Sequence, residues 1–206
     1  MHTAGHDPMH TAGEDPMDPA VDHPMQPVFY YDLGSPRCYL VAERIMSALP
    51  VVPEWEPVWS GRVGGIEPAS DRPRLERDAG ELGLQPLRWP SRWPPQTRTA
   101  MLAATYAKRV GRAVAFSLAA FRQAFAGGRD LDDESTLLIA GAACEIHPAA
   151  LLKGIWLRSV ASALDDATAR ASAAGVKCLP AVQVRDRVFE GDVAVEQAAL
   201  ALGGLE

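Results

Sequence analysis

The sequence predicts an α/β protein whose small strand-bearing domain is split by a large all-helical insertion. Three observations carry this. A strand-like run, a helix-like run and a second strand-like run follow one another within about 30 residues, the length of a parallel crossover unit. Helical periodicity then persists for about 100 residues, far more than one crossover needs. The last quarter returns to short alternating runs around a tight turn and closes on a helix.

Residues 28–40, Val-Phe-Tyr-Tyr-Asp-Leu-Gly-Ser-Pro-Arg-Cys-Tyr-Leu, organise the chain. Val28–Tyr31 is the first strand. Gly34-Ser35-Pro36 breaks it, and a helix from 38 to about 49 follows. Pro36 lies in the first turn, where its missing N–H costs nothing. The orphan amides and positive dipole end of such a start can hold a thiolate or another anion. Ser35 and Cys38 stand there at Ser-x-x-Cys spacing.

Pro50 and Pro53 close that helix, and residues 54–58 read as the second strand. Gly and Pro punctuate residues 60–97, with a short helix predicted over 74–82. Trp89 and Trp93, each followed by proline, cannot continue a helix. They are either an aromatic wall beside a ligand cleft or connector tryptophans that seal the core. Leu102, Tyr106 and Val110 mark a helical face; Val114, Leu118, Phe121 and Phe125 mark a stripe ended by Gly127-Gly128. Asp132 or Asp133 can cap the next helix, which runs to about Cys144. Pro148 starts another, with Leu151, Leu152, Ile155 and Trp156 inward. Val160, Leu164, Ala167, Ala171 and Ala174 mark a further helix stopped by Gly175, so the insertion spans about 70–175. Ala181–Val184 and Arg187–Glu190 are strands joined at Arg185-Asp186. Asp192 is expected to cap a last helix with Val195, Ala199 and Leu202 inward.

With 206 residues, 48% hydrophobic and 22% charged, the chain has the composition of one globular domain. Residues 1–27 hold five acidic residues and no Lys or Arg, so the tail carries −5 of the formal −6 and the remainder −1. No basic field exists to recruit nucleic acid. No apolar run approaches the roughly 18 residues of a membrane span, and neither a basic n-region nor an apolar h-region marks a secretory signal. Three widely spaced cysteines do not make a disulfide framework. A cytoplasmic, reduced protein acting on a small molecule, without nucleic-acid or membrane partners, is the expectation.

The tail is an imperfect eight-residue repeat, Met-His-Thr-Ala-Gly-His-Asp-Pro and its variants, rich in proline and holding four of the five histidines. It cannot bury enough apolar surface to offset its ordering entropy and is expected to be disordered; a metal-binding tail is the alternative. The folded domain is expected to span 28–206.

The strand and turn Phe29-Tyr-Tyr-Asp-Leu-Gly-Ser-Pro36, the segment Gly175-Val-Lys-Cys-Leu-Pro180 and the step Phe189-Glu-Gly191 together resemble a known pattern. They are similar to the DsbA superfamily, a thioredoxin-like fold with a helical insertion, over about residues 28–204. Within it the nearest resemblance is to the 2-hydroxychromene-2-carboxylate isomerases and the kappa-type glutathione transferases. It implies a cis Leu179–Pro180 bond, with the Leu179 backbone opposite Ser35 and able to pair with an extended thiol peptide; a plain turn proline is the alternative. It implies a homodimer, since kappa-type relatives are often dimers.

A dithiol oxidoreductase needs a low-pKa cysteine at the helix start and a resolving cysteine three residues on. Here the first position is Ser35, which cannot form a mixed disulfide, and only the second, Cys38, is a thiol. The resemblance implies that the Ser35 hydroxyl holds the sulfur of bound glutathione, or another low-molecular-weight thiol, as thiolate. The thiolate could add to a conjugated double bond, allow rotation, and leave. Ser35, Pro36, Leu179, Pro180, Gly191 and Asp192 are the expected cofactor-binding residues. Tyr31, Arg37, Trp89 and Trp93 are expected beside a small aromatic or conjugated acid. Ser35 can also be read as a helix cap, and Arg37 as an exposed charge. Cys38, expected half-buried, is either a redox residue pairing with Cys178 or a small core hydrophobe; Cys144 is read as structural. A redox protein using Cys38 and a non-catalytic binding module are the alternative functions. Two departures stand out. The residues after Gly191 are Asp192-Val193-Ala194, without the family's Arg, and Gly64-Gly65-Ile66 stands where the isomerases have Asn-x-Pro. His147 has no nucleophile elbow near it, and no phosphate loop or zinc spacing appears.

Overall fold

A computed structural model describes residues 26–204. The repeat tail, apart from its last two residues, lies outside the described residues. The sheet has strand order β2-β1-β3-β4, with β1 Val28–Tyr31, β2 Glu54–Pro57, β3 Ala181–Val184 and β4 Arg187–Glu190. β1 runs parallel to β2 and antiparallel to β3, and β3 and β4 form the hairpin. The two halves of the sheet lie about 120 residues apart in sequence, and Phe29 joins them, facing Trp55 on one side and Val182 on the other.

Between them come α1 Pro36–Ala42, α2 Ile45–Ala48, α3 Arg72–Glu81, α4 Arg98–Arg109, α5 Ala113–Phe125, α6 Glu134–Ala143, α7 Pro148–Ile155 and α8 Arg158–Ala173. A 3₁₀ turn over Gly191–Val193 leads into α9 Ala194–Gly203. α4 and α8 pack on β2, and α9 packs on β3 and β4. Among the described residues no helix is long and apolar enough to cross a membrane.

The expected helix from 38 to 49 is two pieces starting at Pro36. The break falls at residues 43–44, where both side chains are tied to other helices. Glu43 accepts two bonds from the Arg122 guanidinium of α5, both 2.7 Å, and Arg44 reaches Glu196 of α9 and the Asp192 carbonyl. The Leu102/Tyr106/Val110 face is not the buried one. α4 buries Met101 and the small side chains of Ala100, Ala103, Ala104 and Ala107, and packs against β2, α5, α7 and α8. α5 buries Phe121 and Phe125 as expected but leaves Val114 and Leu118 half-buried. Trp156 is 85% exposed, because α7 ends at Ile155 before the stripe brings it round. Asp192 caps nothing; its carboxylate is held by arginines.

The core beneath the site is aromatic. Phe29, Tyr31 and Trp55 meet at ring centroids 5.0–5.5 Å apart, with Phe121 5.9 Å from Tyr31.

Candidate functional site

The turn after β1 is built on Asp32, fully buried. One carboxylate oxygen accepts the Gly34 N–H at 2.8 Å. The other accepts the Ser60 N–H at 2.8 Å and the Thr97 hydroxyl at 3.1 Å. One side chain thus ties the turn to the end of β2 and the start of α4. Burial pushes its carboxyl up while these donors pull it down. Gly34 fits because a Cβ there would lie 2.2 Å from the Thr97 methyl. Sequence reasoning missed Asp32; the signal was an acidic residue ending an apolar strand.

Ser35 is 1% exposed. Its oxygen accepts the Cys38 N–H at 3.1 Å, capping α1. Its hydroxyl donates to Glu67 Oε1 at 2.8 Å. Glu67 was also missed, since a lone Glu in a Gly- and Pro-punctuated stretch reads as solvated. It is 8% exposed, its Oε2 is buried without a hydrogen-bond partner among the described residues, and burial pushes its carboxyl up. Arg37, expected beside the substrate or as an exposed charge, is half-buried among acids: Nη2 lies 3.0 Å from Asp71, and Nε lies 3.8 Å from Glu67 and 3.6 Å from Asp192. Asp192 also pairs with Arg74.

The Leu179–Pro180 bond is cis. The Pro180 carbonyl accepts the Gly191 N–H at 2.9 Å, joining the Pro180 segment to the turn that carries Asp192. Gly64, at φ 75°, passes so close to this segment that a Cβ would lie 2.7 Å from the Cys178 Cα. The 60–67 loop carrying Glu67 is thereby laid against the Cys178–Pro180 segment. The Lys177 and Cys178 amides both donate to Glu190.

Cys38, expected half-buried, is fully buried. Burial first, then the charge of Glu67, pushes its thiol well up, the opposite of a reactive thiolate. Cys178 is exposed, Cys144 buried, and all three cysteines are free. Tyr31 does not line an open site: strand alternation turns it with Phe29 into the core, and its hydroxyl pairs with the buried Ser117 at 2.6 Å.

Trp89 and Trp93 stack edge to face at 5.3 Å, with the Arg72 guanidinium 4.7 Å and 5.1 Å from their rings. Trp93 donates its indole N–H to the Glu67 carbonyl at 3.0 Å, so this half-buried pair borders the Glu67 loop. Beyond Arg37 a cleft of about 260 Å³ opens between α1, α3 and the turn before α9. Arg37, Arg44 and Arg74 line it together with Asp78, Asp192 and Glu196.

A DSBA-like thioredoxin domain model matches residues 28–203. Among curated proteins none matches this sequence. Among solved structures, a 2-hydroxychromene-2-carboxylate isomerase superposes with a TM-score of 0.77 at 19% identity, covering 88% of this chain and 96% of that one. A probable DsbA oxidoreductase from Streptomyces coelicolor gives 0.71 at 18% identity, covering 88% and 91%. The cytosolic disulfide reductase DsbM from Pseudomonas aeruginosa with GSH gives 0.61 at 14% identity, covering 87% and 98%. At these identities the likeness is one of fold.

Proposed function

The chain belongs to the DSBA-like thioredoxin domain family, and on that premise we propose that it is an isomerase or transferase working with a low-molecular-weight thiol. Glutathione or a chemical equivalent is the cofactor, and a small aromatic or conjugated acid is the substrate. Ser35 carries this reading. A hydroxyl stands where a dithiol enzyme needs its attacking sulfur, and the second sulfur, Cys38, is buried with its thiol pushed up. Dithiol exchange has no first sulfur to start from.

The residues fit a thiol. Glu67 offers a buried oxygen with no hydrogen-bond partner among the described residues beside the Ser35 hydroxyl, and the cleft next to Arg37 mixes three arginines with four acids. That lining suits a peptide bearing both an ammonium and carboxylates. When bound, the thiol supplies a nucleophile that adds to a conjugated double bond and leaves after rotation. Ser35 donates to the sulfur, and the Leu179–Pro180 segment positions it. Arg37 and Asp192 bind the charged ends, while Trp89 and Trp93 flank the aromatic acid. A neighbour of the same fold solved with GSH is consistent with glutathione as the thiol. Titration calorimetry with glutathione and other small thiols tests it. Saturable binding weakened by Ser35→Ala is expected, and no binding of any thiol overturns it.

A further inference from the structure

We propose that Glu67 is the proton acceptor of this site, taking the cofactor thiol's proton through the Ser35 hydroxyl. The proposal rests on the thiol-dependent reading above and deepens it.

A serine hydroxyl has one proton to donate and two lone pairs to receive with. Ser35 already spends its proton on Glu67 Oε1 at 2.8 Å and one lone pair on the Cys38 N–H at 3.1 Å. As it stands, it has no proton for a sulfur anion. A proton on Glu67 reverses the bond: the carboxyl then donates to the second lone pair of Ser35, and the hydroxyl proton is free for the sulfur.

The relay balances. The S–H bond breaks as an Oγ–H bond forms, and the old Oγ–H bond breaks as an Oε1–H bond forms. The thiol ends as thiolate and the carboxylate as carboxylic acid, so the site's net charge is unchanged and no proton reaches solvent. Keeping one negative charge while moving it avoids adding charge to a desolvated site.

The surroundings of Glu67 suit the role. It is 8% exposed and Oε2 is buried without a partner, so its ionised form is poorly solvated. Burial, together with nearby Asp32, pushes its carboxyl up; its own backbone N–H, then the bond from Ser35 and the Arg37 guanidinium pull it down. The other ionisable groups facing it are the thiols of Cys38 and Cys178. Arg37 Nε lies 3.8 Å from Glu67 Oε1 and 3.6 Å from Asp192, a nearby positive charge that favours the ionised carboxylate.

Glutathione is titrated into the full chain in buffers of different ionisation heat while the ultraviolet absorbance of the thiolate is followed. The unmodified protein is expected to form thiolate with no net proton release and with a thiolate fraction flat across neutral pH. In Glu67→Gln, any thiolate must release about one proton to buffer, so its thiolate-to-thiol ratio rises about tenfold per pH unit. S-methylglutathione, which has no thiol proton, is expected to bind both proteins alike. Infrared difference spectra of the unmodified protein give a readout that needs no variant: a protonated-carboxyl band appears with glutathione and not with S-methylglutathione. One proton released per thiolate by the unmodified protein, or no such band, overturns the role of Glu67 and leaves the thiol-dependent reading standing. Failure of glutathione, S-methylglutathione and every other small thiol to bind overturns both.

Discussion

Ser35 gives its hydroxyl proton to Glu67 at 2.8 Å across 32 residues of chain, although each residue alone has a structural explanation. Ser35 caps α1, and Glu67 sits in a loop drawn inward by Trp93. Their meeting ties the turn after β1 to the 60–67 loop. A buried carboxylate held by a buried hydroxyl is retained only with partners to offset its desolvation.

Ser35→Ala removes the cap and strands Glu67 together. Loss of an N-cap costs about 1 kcal/mol, and a buried acceptor left without its donor about 1–3 kcal/mol more. Chemical denaturation is expected to show a loss in that range, with glutathione affinity falling at least about tenfold, the weight of one charge-assisted bond. Ser35→Cys instead restores a Cys-x-x-Cys turn and is expected to add measurable disulfide reduction, absent in the unmodified protein. If unmodified protein reduces disulfides equally well, Ser35 is not what separates the two chemistries.

Alkylation separates the cysteines. Cys178 is exposed, whereas Cys38 and Cys144 are buried. Burial raises all three thiols, with Glu67 adding to the effect at Cys38 and Glu190 at Cys178, so access decides the order. Mass spectrometry after mild alkylation is expected to find Cys178 modified first, with Cys38 and Cys144 reacting only on unfolding. Early modification of Cys38 contradicts its burial and revives it as a redox residue.

Gly64→Ala tests the seam between the Glu67 loop and the Pro180 segment. The left-handed backbone at φ 75° costs a non-glycine residue roughly 1–2 kcal/mol. The new Cβ also meets the Cys178 backbone at 2.7 Å, which no side-chain rotation relieves. A stability loss at or above that range is expected, with weakened thiol binding because the two walls of the site separate. Gly65→Ala, also at positive φ but with open space around it, is expected to pay only the backbone cost and keep its affinity.

Much of this was legible in the sequence, for physical reasons. Strand boundaries at Val28–Tyr31 and Ala181–Val184 follow from apolar runs cut by Gly, Pro and a tight turn, signals that need no tertiary context. Ser35 and Pro180 were legible because each stands in a local pattern, a Ser-Pro turn after a strand and a Gly-Val-x-x-x-Pro segment before one. Asp32 and Glu67 were not, since a carboxylate's role depends on donors far off in sequence: Thr97 for one, Ser35 for the other. Trp156 failed for a related reason. Its position fits a helical stripe, but α7 ends one residue too soon, and no local signal marks that end.

Stability against pH gives Glu67 a test that needs no cofactor. In the unfolded chain Glu67 titrates near the ordinary value of about 4.3; in the folded chain burial moves it higher. Below about 4.3 both states hold the proton, and the favourable contribution of the neutral buried carboxyl is fully present. As pH rises further the unfolded state releases its proton while the folded state retains it. The contribution therefore declines, by at most about 1.4 kcal/mol per pH unit, until the folded carboxyl has ionised. Gln at this position titrates in neither state. The stability of Glu67→Gln minus that of the unmodified protein is therefore expected to grow with pH from about 4.3 upward, then level off. Taking the difference removes distant groups common to both proteins, such as Glu43 with Arg122. Denaturant midpoints measured across acid and neutral pH give the curve directly. A flat difference means that Glu67 titrates as an ordinary surface carboxylate, and a falling one means that Arg37 and Ser35 outweigh its burial.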